Sequence, residues 1–397
     1  MALSKIDVAN MLTGATPVAN GGTAATTLAA AGLQRPNAKP LIINGDMAVA
    51  QRATSVTSVS NGDGGYQTCD RMRFNESGSM NAALTITQES LTSGNAYLNG
   101  FANAFKVDCT TAESSPDASL WVRLNMRLEG QDLQVFKKGT SNAEKYTLAF
   151  WVKATKTGTS TIELYDNDNN RSIGGSYTIS SSDTWEHKVV NFAADTTGAF
   201  GDDNAESLRI SWSLSAGTNY TSGTLPTAWE SSTTANTAVG QVNHLDNTSN
   251  NFHITGVQLE VGEFSSTTLP PFEHESFGDN LHRCKRYYHS IADGSIQQYE
   301  YIATGHAQSG SSAHGVYRFD PQMRATPSLV TTMGTNYMYS LRDNGEDFHD
   351  NFELYTSAQT SRAFSWKCDD NHSVTQGQAV TIATGNTAAR IAADAEL

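Results

Sequence analysis

The sequence predicts a mainly β protein: a short helical N-terminal attachment segment, a jelly-roll-like β-sandwich, a short linking helix and a C-terminal β domain. Two observations carry this. From residue 41 onward, short runs rich in β-branched and aromatic residues alternate apolar with polar, and clusters of Gly, Asn, Asp and Ser separate them. The composition agrees: of 397 residues only 17% are charged, with 38% hydrophobic, 9% aromatic, 32 Gly and 9 Pro. Such a chain suits short strands joined by polar turns, and it holds enough apolar surface to build a core.

Residues 1–40 differ from the rest. Ser4 can cap a short helix through Ile6, Ala9 and Met11 that ends near Gly14. An extended, turn-rich link follows, and a second helical stretch over 26–31 stops at Gly32. Helices this short are marginal alone, so the segment needs a partner. Ile6, Met11, Val18 and Leu28 are the apolar groups expected to meet it.

The sandwich is expected over 41–275, with strands at 41–43, 83–88, 120–128, 146–154, 159–165, 176–179, 186–192, 207–214 and 251–261. Turn signals lie between them, among them Asn61-Gly62-Asp63-Gly64-Gly65 and Gly201-Asp202-Asp203-Asn204. Trp151, Trp185 and Trp212 fall inside these runs and are expected in the core. The pattern breaks at Leu269-Pro270-Pro271-Phe272. A linking helix is expected over 276–290, with Ser276 as N-cap, Asp279 in its first turn, and Leu281, Cys284 and Tyr288 on one face. Residues 291–397 return to strands, at 297–303, 315–319, 328–332, 352–354, 363–368 and 379–383.

Charge and motifs exclude several function classes. A net charge of −14 is poorly suited to a phosphate backbone or an anionic lipid surface, so neither nucleic acid nor membrane insertion is expected. No run approaches a membrane span, and residues 1–14 lack the apolar stretch of a secretory signal. Cys69, Cys109, Cys284 and Cys368 form no CxxC pair, which excludes a thiolate zinc site. GxSxG, the P-loop, HExxH and GxGxxG are all absent. The run Asp166-Asn167-Asp168-Asn169-Asn170 begins like a calcium loop, but Arg171 stands where Gly is required and Tyr177 where the bidentate Glu belongs. It reads as a solvated Asx-rich turn, with a structural Ca²⁺ as the lesser alternative. No catalytic residue, metal site or cofactor is expected. What remains is binding: Tyr66, Tyr97, Tyr165, Tyr220, Trp229, Tyr299 and Tyr301 sit beside small hydrogen-bonding residues, a pairing that suits sugar or protein surfaces.

Several motifs, in order along the chain, resemble bacteriophage tail fibre and receptor-binding virion proteins. Thr16-Pro17-Val18-Ala19-Asn20-Gly21-Gly22-Thr23-Ala24-Ala25-Thr26-Thr27 resembles the PVxxGGTGATT segment of such fibres. Leu41-Ile42-Ile43-Asn44-Gly45-Asp46-Met47-Ala48-Val49-Ala50-Gln51-Arg52 resembles the NGxMxVxQRG opening of their jelly-roll module, and Asp70-Arg71 its ADRW continuation. Val257-Gln258-Leu259-Glu260-Val261-Gly262 resembles the last strand of that module, and Arg283-Cys284-Lys285-Arg286-Tyr287-Tyr288 the RCxRYY helix leading to a C-terminal domain. Ala24 and Ala53 replace glycines of the pattern, Cys69 replaces an Ala and Met72 a Trp. The resemblance implies a homotrimer located in the virion tail and assembled in the host cytoplasm. Residues 1–40 would fix it to the tail or an adaptor protein, and the β domains would bind a host surface glycan or protein through Tyr299, Tyr301, His306, His314, Tyr337 and Tyr339 on C-terminal loops. A capsid fibre, decoration or tail adaptor protein is the alternative, and a polysaccharide depolymerase ranks below it because no rung-like repeat is present.

Overall fold

The computed structural model describes residues 39–294, 299–342, 345–369 and 374–397. Ile6, Met11, Val18 and Leu28 lie outside the described residues.

Thirteen strands build a two-sheet sandwich: β1 (Ser55–Val59), β2 (Gly65–Tyr66), β3 (Arg73–Ser77), β4 (Ala83–Ser90), β5 (Asn103–Thr111), β6 (Trp121–Glu129), β7 (Tyr146–Ala154), β8 (Gly158–Asp166), β9 (Arg171–Ile179), β10 (Glu186–Phe192), β11 (Glu206–Ala216), β12 (Glu230–Ser231) and β13 (Asn251–Val261). One sheet runs β1-β4-β5-β13-β7-β10 and the other β12-β9-β8-β11-β6-β3-β2, with antiparallel pairing throughout. Alternate residues of each strand point inward. Leu148, Phe150 and Val152 of β7 face Leu124, Ile162, Ile210 and Trp212 of the opposite sheet across one continuous core. Residues 41–43, expected as a strand, form bends instead. Ile42 still enters the core, but its neighbour Asn44 turns left-handed (φ 59°) to reach the helix described next.

That helix, α1 (Phe277–Lys285), starts as the sequence predicts, with Ser276 Oγ accepting the Asp279 N–H at 3.2 Å. It is shorter than expected. Tyr288 does not share its face but opens β14 (Tyr288–Ala292), because backbone pairing with the last strand competes with another helical turn. Beyond it come β15 (Tyr301–Ser309), β16 (Ser312–Arg318), β17 (Ser328–Thr332), β18 (Met338–Arg342), β19 (Gly345–His349), β20 (Glu353–Gln359), β21 (Ala363–Cys368), β22 (Ala379–Thr384) and β23 (Arg390–Asp394). They form a three-stranded sheet, β14-β23-β17, and a seven-stranded sheet, β19-β18-β22-β15-β16-β21-β20, around a second core. At its centre Trp366 lies over the paired glycines Gly305 and Gly315, since a methyl on either would run into its ring.

The two β units meet at a seam of buried charge. Arg71 pairs with Glu396 and stacks 3.5 Å over the Tyr287 ring. Glu129, fully buried, accepts from Arg286 at 2.7 and 2.9 Å and from Tyr287 Oη at 2.5 Å. The Asn44 N–H donates to Asn280 Oδ1 at 3.1 Å, and Gln51 Nε2 donates to the Tyr288 carbonyl at 2.6 Å. Asn44, Gln51, Arg52, Asp70, Arg71, Arg286, Tyr287 and Tyr288 all belong to the motifs quoted above, and they converge here to fix one unit against the other. All four cysteines are free and buried.

Candidate functional site

Residues 262–276 follow β13, and outward-facing His253, Thr255, Gln258 and Glu260 of that strand are nevertheless buried, Gln258 beneath the Pro270 carbonyl and His253 beside Glu89 and Trp185. Beside this segment a cleft of about 430 Å³ opens. Trp151 of β7 and His187 of β10 are register partners and form one wall, their rings 5.0 Å apart. Phe101, Phe272 and His274 form the other, in edge and tilted contacts of 4.9 to 5.1 Å. The floor is a bulge in β13, where Thr255 pairs with Trp151 but Gln258 with Ala149. Gly256 sits in that bulge at φ +61°, and a Cβ there would lie 2.7 Å from Phe101 and 2.9 Å from Trp151. Only glycine lets the two rings converge.

The polar groups of the cleft are the Asn99 and Gln258 amides, the Ser266 hydroxyl and the imidazoles of His187 and His274. Asn99 and Ser266 stand at the rim, and Gln258 is oriented by donating to the Pro270 carbonyl at 3.1 Å and to Glu260 at 3.2 Å. No Asp, Glu, Lys or Arg lines it. The cleft therefore offers flat apolar rings and neutral hydrogen-bonding groups to an uncharged ligand, with no carboxylate pair for acid–base chemistry.

Trp151 corrects the sequence reading, which placed it in the core. It is half-buried on the outer face, whereas Trp212 and Trp185 are buried. The signal was present: in β7, Tyr146, Leu148, Phe150 and Val152 share one phase and Thr147, Lys153 and Trp151 the other. Trp229 is also a core residue, its indole N–H donating to the Ala193 carbonyl at 2.8 Å. The Asx-rich turn joins β8 to β9. Asp166 accepts from the N–H groups of Asp168 and Asn169, and its other oxygen takes the buried Lys138 ammonium at 2.5 Å. That lysine supplies the positive charge a Ca²⁺ would bring.

The residues expected to meet the host lie mostly on strands rather than loops. Tyr301, His306 and His314 share the outer face of the seven-stranded C-terminal sheet, with His306 directly opposite His314. Tyr301 is 67% exposed and His306 is exposed, whereas His314 is buried against the Tyr355 ring at 4.0 Å. Tyr339 is buried between Tyr299 and Phe348, at 5.1 and 4.1 Å, and Tyr299 Oη donates to Glu346 at 2.6 Å. Tyr337 is half-buried in the turn before β18.

Fold and cleft together define a β-sandwich protein with an aromatic, uncharged cleft on one sheet. No family model matches the chain, and no curated protein matches its sequence. Among solved structures it is similar to the enzymatically active domain of bacteriophage CBA120 tailspike protein 4 (12% identity, TM-score 0.28), over 56% of this chain and 21% of that one. It is similar to a protein described under "CBM4 structure and function" (11% identity, TM-score 0.23), over 40% of this chain and 70% of that one. A third is a family 29 carbohydrate-binding module variant complexed with cellulohexaose (11% identity, TM-score 0.23), covering 53% and 92%. The match thus spans about a fifth of the tailspike domain's length. Likeness at this level says nothing of what the present chain binds.

Proposed function

We propose that this chain is a phage tail fibre subunit that attaches the virion to the host surface by binding envelope glycan without cleaving it. The cleft formed by Trp151, His187, Phe101, Phe272 and His274 is the observation that supports this most directly. Sugar rings present apolar C–H faces edged by hydroxyls, and this cleft pairs ring faces with neutral amides and a hydroxyl on the scale of one or two sugar units. The absence of Asp and Glu from its lining supports binding over hydrolysis by a carboxylate pair. The ordered set of fibre-like motifs supports the virion setting. In this reading the chain is a homotrimer, so that three weak sites act together, and residues 1–40 hold it to the tail or an adaptor protein.

The test exposes the purified protein to envelope polysaccharides from a panel of bacteria and follows both retention and the release of new reducing ends. Retention without release is expected. Trp151→Ala should weaken retention about tenfold, the loss of one stacking platform worth about 1–1.5 kcal/mol, with the melting temperature little changed. Retention that survives Trp151→Ala removes the cleft from the proposal, release of reducing ends removes the non-enzymatic reading, and a monomer in light scattering removes the trimer.

A further inference from the structure

The opposite sheet of the sandwich carries a face of another character. Arg73 of β3, Arg127 of β6 and Arg209 of β11 stand on three adjacent strands. All three point away from the core, because their neighbours Phe74, Met126, Leu128, Leu208 and Ile210 point into it. Register places Arg127 directly opposite Arg209, and Arg73 opposite Asn125, two residues from Arg127 on the same face. Among the described residues a single side-chain carboxylate answers them: Glu206 holds Arg127 at 3.0 Å and Arg209 at 2.6 Å. Among the described residues Arg73 meets no carboxylate. Burial lowers the affinity of Arg127 for its proton; Glu206 opposes that, while Arg73 and Arg209 add to it by repulsion. The three guanidinium groups are thus close enough to destabilise one another.

In a chain of net charge −14, three arginines gathered around one carboxylate leave a local excess of two positive charges on a half-buried surface. The face has an apolar platform as well, the Tyr165 ring, with the Arg209 guanidinium 5.3 Å from its centroid. Tyr66 closes the other side, its hydroxyl directed to the main-chain oxygen of Leu397 at 3.4 Å. Adjacent strands are about 4.8 Å apart, so the three side chains span roughly 10 Å, the length of one to two sugar rings.

We propose that this face binds an anionic saccharide, its acidic group held between Arg73 and the Arg127–Arg209 pair and its ring lying against Tyr165. Guanidinium forks bind carboxylate, sulfate and phosphate oxygens in the same planar way, so the chemistry recognised is an oxyanion carried on a sugar. A long polyphosphate is disfavoured, because the acidic remainder of the molecule repels it beyond the patch. This site is separate from the uncharged cleft on the six-stranded sheet and does not depend on it.

The probes are polygalacturonate, dextran sulfate and a phosphomannan, with unmodified dextran as the neutral control and single-stranded DNA as competitor, titrated calorimetrically against the whole protein. At least one of the three anionic polymers should bind at low salt, weaken steeply as salt rises, and leave dextran unbound; which one binds identifies the acid. Arg73→Gln, which breaks no ion pair, should weaken binding about tenfold. Glu206→Gln should tighten it, and Trp151→Ala should leave it unchanged while weakening the neutral-glycan binding above about tenfold. Failure of all three polymers to bind overturns the proposal, as does equal binding by Arg73→Gln and Arg209→Gln. Displacement by single-stranded DNA at lower concentration than by the bound polymer would mean the face reads phosphate backbone, not sugar.

Discussion

Acidification should unfold the sandwich through one buried ring. His244 is 1% exposed and packs edge-on to Phe252 at 5.2 Å, with Nε2 on the Ser160 hydroxyl at 2.9 Å and Nδ1 without a partner. Burial lowers its pKa from 6.5 to about 4, with nearby Lys156 acting in the same direction and Asp246 against it. The folded protein therefore holds this histidine neutral over a range where the unfolded chain would protonate it. Its contribution to stability is intact above pH 6.5 and is lost as pH falls toward 4. The gap between those values corresponds to roughly 3 kcal/mol, of which about 2–3 kcal/mol is gone by pH 4.5. Other groups titrate in this window as well, among them His289 and Asp70. His289, lowered to about 4 by burial, adds to the loss. Asp70, raised to about 6 chiefly by burial, regains stability on protonation and opposes it. A difference of differences isolates His244: denaturant unfolding of the parent and of His244→Gln at pH 7 and pH 4.5. Any uniform cost of the substitution cancels, as do His289 and Asp70. The parent should lose about 2–3 kcal/mol more between the two pH values than the variant. Equal losses would refute the assignment of a buried neutral His244.

Two further outcomes follow from packing. Gly315→Ala places a methyl against the Trp366 ring, and should lower stability by about 1–3 kcal/mol in a chemical melt, with Trp366 fluorescence shifted because the ring must move. Glu396→Gln leaves the buried Arg71 guanidinium without its counter-charge at the seam, and should cost about 3–5 kcal/mol by the same measure, more than removal of an exposed pair such as Lys137–Glu144.

The strands most legible in the sequence were those with β-branched and aromatic residues bounded by turn residues. Tyr146–Ala154, Glu186–Phe192 and Asn251–Val261 coincide with their expected bounds. Ser55–Val59 and Asn103–Thr111 were not read as strands. The first is a short edge strand with three polar residues in five, and the second follows a Gly- and Asn-rich turn that masks its start. The cleft was harder to read. Trp151 was visible, and its phase marked it as outward, but His187, Phe101 and Phe272 come from three other segments and meet it only through sheet order and the path of residues 262–276. The arginine face was hidden for the same reason: Arg73, Arg127 and Arg209 are scattered in the chain and become neighbours only through strand register.

The seam between the two β units has a mechanical consequence. A load applied to the C-terminal sheets reaches the sandwich through the Arg71–Glu396 and Arg286–Glu129 ion pairs, the stacked Tyr287 and α1. Ligands held on the two units would thus keep a fixed angle and separation. Force arriving from one would be shared by the other, instead of each contact being peeled away in turn.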